Sequence, residues 1–116
     1  MNQIWTLQYW GDNDHSSCVE NWFDQRTAQQ LKVVAKELKL LELCGNKLRL
    51  PHSRALGGGL FELRENFYGY RMYYAFLPDR NIVVLQAGDK KSQKNDIKLS
   101  RERLTKIEKK VVKDEA

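Results

Sequence analysis

Arg64 and Arg71 are the residues of this chain best placed to do chemistry together. A guanidinium is a planar, permanently charged fork that suits a phosphate group. The segment between them, Asn66-Phe67-Tyr68-Gly69, has the composition of a turn. If it is a four-residue hairpin loop, Glu65 pairs with Tyr70 and Arg64 stands directly opposite Arg71. A second loop at Pro78–Asn81 would pair Leu77 with Ile82 and put Tyr73 opposite Gln86. Alternation then gathers Glu62, Arg64, Arg71, Tyr73 and Gln86 on one face, with Phe61, Leu63, Met72, Tyr74, Phe76, Val83 and Leu85 on the core face. Like charges directly across a strand pair repel unless something anionic lies between them. Two readings stay open: a phosphate site with a tyrosine beside it, or a structural cluster in which Glu62 neutralises the arginines.

The third strand of this set runs into Gly88-Asp89-Lys90-Lys91-Ser92-Gln93-Lys94, which places Lys90, Lys91 and Lys94 at a strand end close to the arginines. Lys47, Arg49 and Arg54 would extend the positive surface. Phosphate contacts of this kind give affinity that falls with salt and reads no base sequence. Tyr68, Tyr70 and Tyr73 are candidates to stack on an unpaired base. Other chemistry finds no support. His15 and His52 are isolated and no His/Cys spacing fits a metal. Gly57-Gly58-Gly59 lacks the Lys-Ser/Thr of a phosphate-binding loop and reads as a tight turn.

Charge points the same way. The net charge of +5 lies wholly in residues 90–116, which hold ten Lys/Arg against five Asp/Glu; residues 1–89 balance at ten of each. That asymmetry suggests a polyanionic partner, although a solvated helix with a lysine-rich face has the same composition. At 116 residues the chain is expected to form one domain, 1–116, with one core. No apolar run is long enough to span a membrane and no secretory signal is evident, so a cytoplasmic monomer is expected, with Cys18 and Cys44 as buried thiols.

The elements that must position these residues follow from periodicity. Ile4–Trp10 alternates as a strand. Ser16 or Ser17 caps a short helix carrying Val19, Trp22 and Phe23, and Thr27 caps a longer one with Leu31, Val34, Ala35, Leu38 and Leu41 on its apolar face and Gly45-Asn46 as its stop. A linking stretch runs from Leu50 through Gly59. Strands follow at Leu60–Glu65, Tyr70–Leu77 and Ile82–Ala87, the last apolar on both faces and so interior to the sheet. Ser92 or Asp96 caps a final helix with Ile97, Leu104, Ile107 and Val111 buried. The expected class is α+β: one antiparallel sheet of about four strands with two N-terminal helices and a C-terminal helix packed on it.

Gly59-Leu60-Phe61-Glu62-Leu63-Arg64, Gly69-Tyr70-Arg71-Met72-Tyr73-Tyr74, Val83-Val84-Leu85 and Gly88-Asp89-Lys90-Lys91-Ser92-Gln93-Lys94-Asn95-Asp96-Ile97 together resemble the RelE/HigB superfamily of toxins, in its HigB-like and phage-derived killer-protein branch. The resemblance is detailed over roughly residues 55–100. It implies a RelE-like fold and a metal-independent, ribosome-dependent endoribonuclease, an mRNA interferase that uses no cofactor. In that chemistry the RNA 2′-hydroxyl attacks the adjacent phosphate. Carried over, Arg64 and Arg71 are the catalytic cations and Lys90 and Lys91 ligands of phosphate or ribosomal RNA. Joined with the reading of the residues, the expected catalytic set is Arg64, Arg71, Lys90 and Tyr73, with Lys91, Lys94, Arg54, Lys47 and Arg49 binding RNA. The partners implied are messenger RNA, the ribosome and a small antitoxin, usually with a helix-turn-helix domain. Some relatives carry a Tyr or His near the C-terminus as general acid/base, whereas residues 95–116 contain neither. Proton transfer would then fall to Tyr73, Asp89, a lysine or the ribosome. A non-catalytic RNA- or ribosome-binding module on the same scaffold, or a protein whose basic helix binds an acidic partner, would share the charge pattern.

Overall fold

The computed structural model describes residues 4–11 and 18–115. Its strands are β1 (Thr6–Tyr9), β2 (Ser53–Gly57), β3 (Leu60–Arg64), β4 (Arg71–Leu77) and β5 (Asn81–Gly88), and its α-helices are α1 (Cys18–Asp24), α2 (Ala28–Cys44) and α3 (Gln93–Glu115). They form one five-stranded sheet in the order β1-β5-β4-β3-β2. β1 runs parallel to β5 and every other neighbouring pair is antiparallel. As its two-faced apolarity predicts, β5 lies inside the sheet, between β1 and β4. The class is α+β, with one strand more than expected and a mixed sheet.

The helices occupy both faces of the sheet. Val19 of α1 and Val34 and Leu41 of α2 pack with Leu63, Met72, Tyr74, Ile82 and Val84. On the opposite face Leu104 of α3, with Ile97 and Ile107 beside it, covers Leu60, Tyr73, Ala75, Val83 and Leu85. Val83 and Leu85 thus belong beneath α3, contrary to the expected alternation. The reason is local. The turn after β4 is one residue shorter than expected, Pro78–Arg80, with Asp79 and Arg80 at φ 62° and 58°. Phe76 therefore pairs with Ile82 and Tyr74 with Val84, and a bulge then leaves Leu85 unpaired, so that Tyr73 still meets Gln86.

Capping and turns explain the remaining order. Thr27 Oγ1 accepts from the Gln30 backbone N–H (3.2 Å) and Gln30 Oε1 from the Thr27 N–H (2.9 Å), a closed capping box for α2. Gly45 ends α2 at φ 53° and opens a single 3-10 turn, Gly45–Lys47. A Cβ there would overlap the Trp5 indole, which packs edge-on against Phe76 at 5.2 Å. β2 arises from Ser-Arg-Ala-Leu-Gly, a sequence without β-branched or aromatic residues, and so reads as linker. Its turn to β3 is made by Gly58 and Gly59, both at positive φ. Ser92 caps α3, its carbonyl accepting from the Asp96 N–H at 2.8 Å; Asp96 belongs to the first turn. Cys44 is a free thiol, half-buried where full burial was expected. Ser16, Ser17 and the side chains of Cys18 and Val111 lie outside the described residues.

Candidate functional site

Antiparallel topology brings the start of β2, the end of β3, the start of β4 and the end of β5 to one end of the sheet. The register there is the one that a four-residue turn dictates: Arg64 pairs with Arg71, and Arg71 with Gly88 on its other side. Glu65 closes the hairpin, its N–H donating to the Tyr70 carbonyl at 2.9 Å.

An anion does lie between the arginines, and it is internal. Glu62 Oε1 is 3.8 Å from Nε of Arg64 and 3.8 Å from Nε of Arg71. Its Oε2 accepts from Gln93 Nε2 at 2.7 Å, so the first residue of α3 holds the carboxylate in place. Arg71 is enclosed, and its Nη1 donates to the carbonyls of Glu65 (3.2 Å) and Tyr70 (2.9 Å). Arg64 keeps 31% of its side chain open to solvent against 3% for Arg71. Arg71 is therefore a structural cation neutralised by Glu62, and only Arg64 of the pair faces outward.

Tyr73 lies wholly inside, under α3, and its hydroxyl has no hydrogen-bond partner among the described residues. Burial first, then the neighbouring Glu62 carboxylate, pushes the phenol well above its ordinary range. It stays neutral at physiological pH and out of reach of a macromolecular substrate. Around it α3 meets the sheet through polar groups. Asp96 accepts from Gln86 Nε2 (3.0 Å) and Ser92 Oγ (2.5 Å), and Arg103 Nη1 donates to the Leu85 carbonyl (2.5 Å) and Gln86 Oε1 (3.0 Å). Arg101 adds bonds to the carbonyls of Leu56 (2.9 Å) and Gly57 (3.0 Å), tying α3 to β2.

At this sheet end the loops 66–69 and 89–91 flank an open cleft of about 280 Å3, which Arg64 does not line. Lys90 and Lys91 line one wall, both exposed. The Lys90 side chain runs over Gly69, 3.6 to 3.9 Å from where a Cβ would stand. Phe67 and Tyr68 form the other wall. The Glu65 carboxylate holds their loop, accepting from the backbone N–H of Phe67 (2.5 Å), Tyr68 (3.0 Å) and Tyr70 (3.5 Å). Asp89 does the same opposite, accepting from the N–H of Lys91 (2.9 Å) and Ser92 (3.1 Å). Both walls are therefore preorganised by buried or backbone-bound carboxylates.

The other expected basic residues divide. Lys94 is exposed in the first turn of α3, next to the cleft lysines. Arg54 pairs with Glu62 across β2 and β3 and is exposed. Lys47 and Arg49 follow α2, and the Arg49 guanidinium donates to the carbonyls of Asn46 (2.7 Å) and Leu48 (3.1 Å). Arg49 borders a different cavity of about 380 Å3, against Phe61 and Phe76. His52 is not isolated: its Nδ1 lies 3.1 Å from Glu37 Oε2 on α2, while its carbonyl accepts from the Arg64 N–H. Among the described residues no cluster of His, Cys, Asp or Glu could hold a metal, and no helix is long and apolar enough to cross a membrane. Two residues of this end escaped the sequence reading, Phe67 and Glu65. A large aromatic in a turn and a carboxylate immediately before it were the available signals.

These features define a class: a small α+β domain whose mixed sheet is clasped between helices and whose loops at one sheet end build a lysine-lined, aromatic-edged cleft. The family described as Phage derived protein Gp49-like matches residues 21–111, and the chain belongs to it. No curated protein shows significant similarity to the chain.

Proposed function

We propose that this protein is the toxin of a toxin–antitoxin pair, a ribosome-dependent endoribonuclease that cuts messenger RNA and so arrests translation. Membership of the phage-derived Gp49-like family supports the toxin reading, as does the resemblance of residues 55–100 to the RelE/HigB toxins. The observation that carries the nuclease reading is Arg64. It is a cation 3.8 Å from the Glu62 carboxylate, partly open to solvent, at the sheet end that also carries Lys90 and Lys91.

In this mechanism the 2′-hydroxyl of the target nucleotide attacks the adjacent phosphorus. The bond to the 5′-oxygen breaks, leaving a 2′,3′-cyclic phosphate and a 5′-hydroxyl. Arg64 stabilises the charge that builds on the phosphoryl oxygens, and Lys90, Lys91 and Lys94 hold the flanking phosphates. Arg71 acts through Glu62 as a positioning residue. Tyr73 takes no proton, because its hydroxyl is closed off; Asp89, Lys90 and the ribosome remain as the groups that exchange one. A cognate antitoxin would mask this end of the sheet.

The test is induction of the gene followed by mapping of messenger 5′ ends. New 5′-hydroxyl ends within coding regions, lost in Arg64→Ala, are expected. Growth arrest with intact transcripts would leave a non-catalytic ribosome-binding module instead.

A further inference from the structure

Phe67 is the most exposed large apolar side chain described, at 77% of its surface. Nothing in the fold requires it there. An aromatic ring held in water at a cleft edge, with lysines opposite, combines the two elements of single-stranded nucleic-acid binding: a π-face and a cationic track.

The geometry shows which ring is available. Tyr70 is buried, stacked by Tyr68 at 5.4 Å with 25° between the planes and met edge-on by Trp22 at 5.0 Å. Arg26 lies 4.6 Å above the Trp22 ring and 5.6 Å from that of Tyr70. Tyr68 therefore has one face occupied. Phe67 meets Tyr68 edge to face, at 4.8 Å and 80°, a contact that occupies at most one face of its ring, and at 77% exposure another face is open. The loop is not free to collapse over it, since Glu65 accepts from three donors around it. Ordering the platform before binding removes an entropy cost that a mobile loop would carry. The cleft, open to solvent and about 280 Å3, has room for one ring system.

We propose that Phe67, backed by Tyr68, stacks one unpaired nucleobase of the RNA while Lys90 and Lys91 hold the phosphates beside it. The proposal rests on the RNA-binding reading above and adds a base-contacting subsite to it. Stacking of this kind accepts any base, so the subsite holds the strand without choosing its sequence.

The test is fluorescence anisotropy with a labelled, single-stranded 2′-O-methyl hexanucleotide, which cannot undergo 2′-hydroxyl attack, and the same backbone with abasic positions. Wild-type protein is expected to bind the intact strand roughly tenfold more tightly than the abasic one. Phe67→Ala should bind both at the abasic level, with an unchanged melting temperature, and Phe67→Trp should restore the preference. Equal binding of both strands by wild-type protein, or an intact-strand affinity unchanged in Phe67→Ala, overturns the stacking subsite. In those cases salt-sensitive binding of the abasic strand still upholds the RNA reading. Binding of neither strand also overturns the subsite, whereas the ribosome-dependent reading stands or falls on the mapped 5′ ends.

Discussion

Arg64 and Arg71 stand directly opposite each other on adjacent strands and share one carboxylate oxygen of Glu62 at 3.8 Å, yet the first is about ten times as exposed as the second. Register makes them neighbours; α3 makes them different. Arg71 is covered near Gly88 and Gln93, while Arg64 stands one strand further out.

The two should therefore separate by mutation. Removing one partner of a buried ion pair leaves the other uncompensated, and typically costs about 3–5 kcal/mol. Arg71→Ala is expected to lower the melting temperature sharply, with Glu62 left buried and half-partnered. Arg64→Ala should abolish growth arrest at a smaller cost in stability than Arg71→Ala, because its guanidinium is partly solvated although it too neutralises the buried Glu62. Thermal melts beside a toxicity assay check both. Equal destabilisation by the two substitutions would dissolve the distinction.

Tyr73→Phe removes a buried hydroxyl that bonds to nothing among the described residues. An unmet buried polar group costs on the order of 1–3 kcal/mol, so the variant should keep its activity and gain stability. The alkaline limb gives a second readout. Burial raises the Tyr73 pKa in the folded state, so the unfolded chain loses this proton first. The contribution is complete below about pH 10, where the unfolded phenol titrates, and declines as pH rises beyond it. Tyr73→Phe should flatten that decline in denaturation curves measured between pH 8 and 11. Tyr9 and Tyr74, also raised by burial, leave part of the slope in place.

Much of this end of the molecule was legible in residue order, and the reasons differ by residue. The Arg64–Arg71 pairing followed from one four-residue turn, a local rule. The Tyr73–Gln86 pairing came out right by compensation, since the shorter Pro78–Arg80 turn and the bulge at Leu85 shift the register in opposite directions. The faces of Val83 and Leu85 came out wrong for the same reason, because between the turn and the bulge the alternation is inverted. β2 and the parallel pairing of β1 were hidden for different reasons. β2 has weak strand propensity and exists through its partner β3, and β1 joins β5 more than seventy residues away. Which arginine stays exposed depends on the path of α3, which no periodicity within the strands reports.

Gly88 is fixed by that same helix. A Cβ at this position would overlap an Asp96 carboxylate oxygen and stand 2.5 Å from Ser92 Oγ. Both groups belong to the network that seats the start of α3, so neither can yield without breaking a bond. Overpacking at a well-filled site costs about 1–3 kcal/mol. Gly88→Ala should destabilise by that amount and loosen Gln93 from Glu62, reducing activity as well. Gly59→Ala is a useful contrast: it has open space around its Cβ and only its φ of 84° to oppose it. An activity loss in Gly59→Ala as large as in Gly88→Ala would argue against the Asp96 contact as the cause.

The lysine wall of the cleft makes a quantitative prediction about salt. Each phosphate that a variant no longer neutralises should lower the slope of log affinity against log salt concentration by about 0.7 for a single strand. Lys90→Ala and Lys91→Ala are each expected to reduce the slope for single-stranded RNA by about that amount, and the double variant by about twice as much. Lys106→Ala, a cation exposed on α3 beyond the Arg101 anchor, should leave it nearly unchanged. This comparison separates a site from a charged surface. A diffuse basic helix would weigh Lys106 and Lys90 equally, and the measured slopes would then fall by the same step in every single variant. A step confined to Lys90 and Lys91 would place the strand at the end of the sheet that carries Arg64.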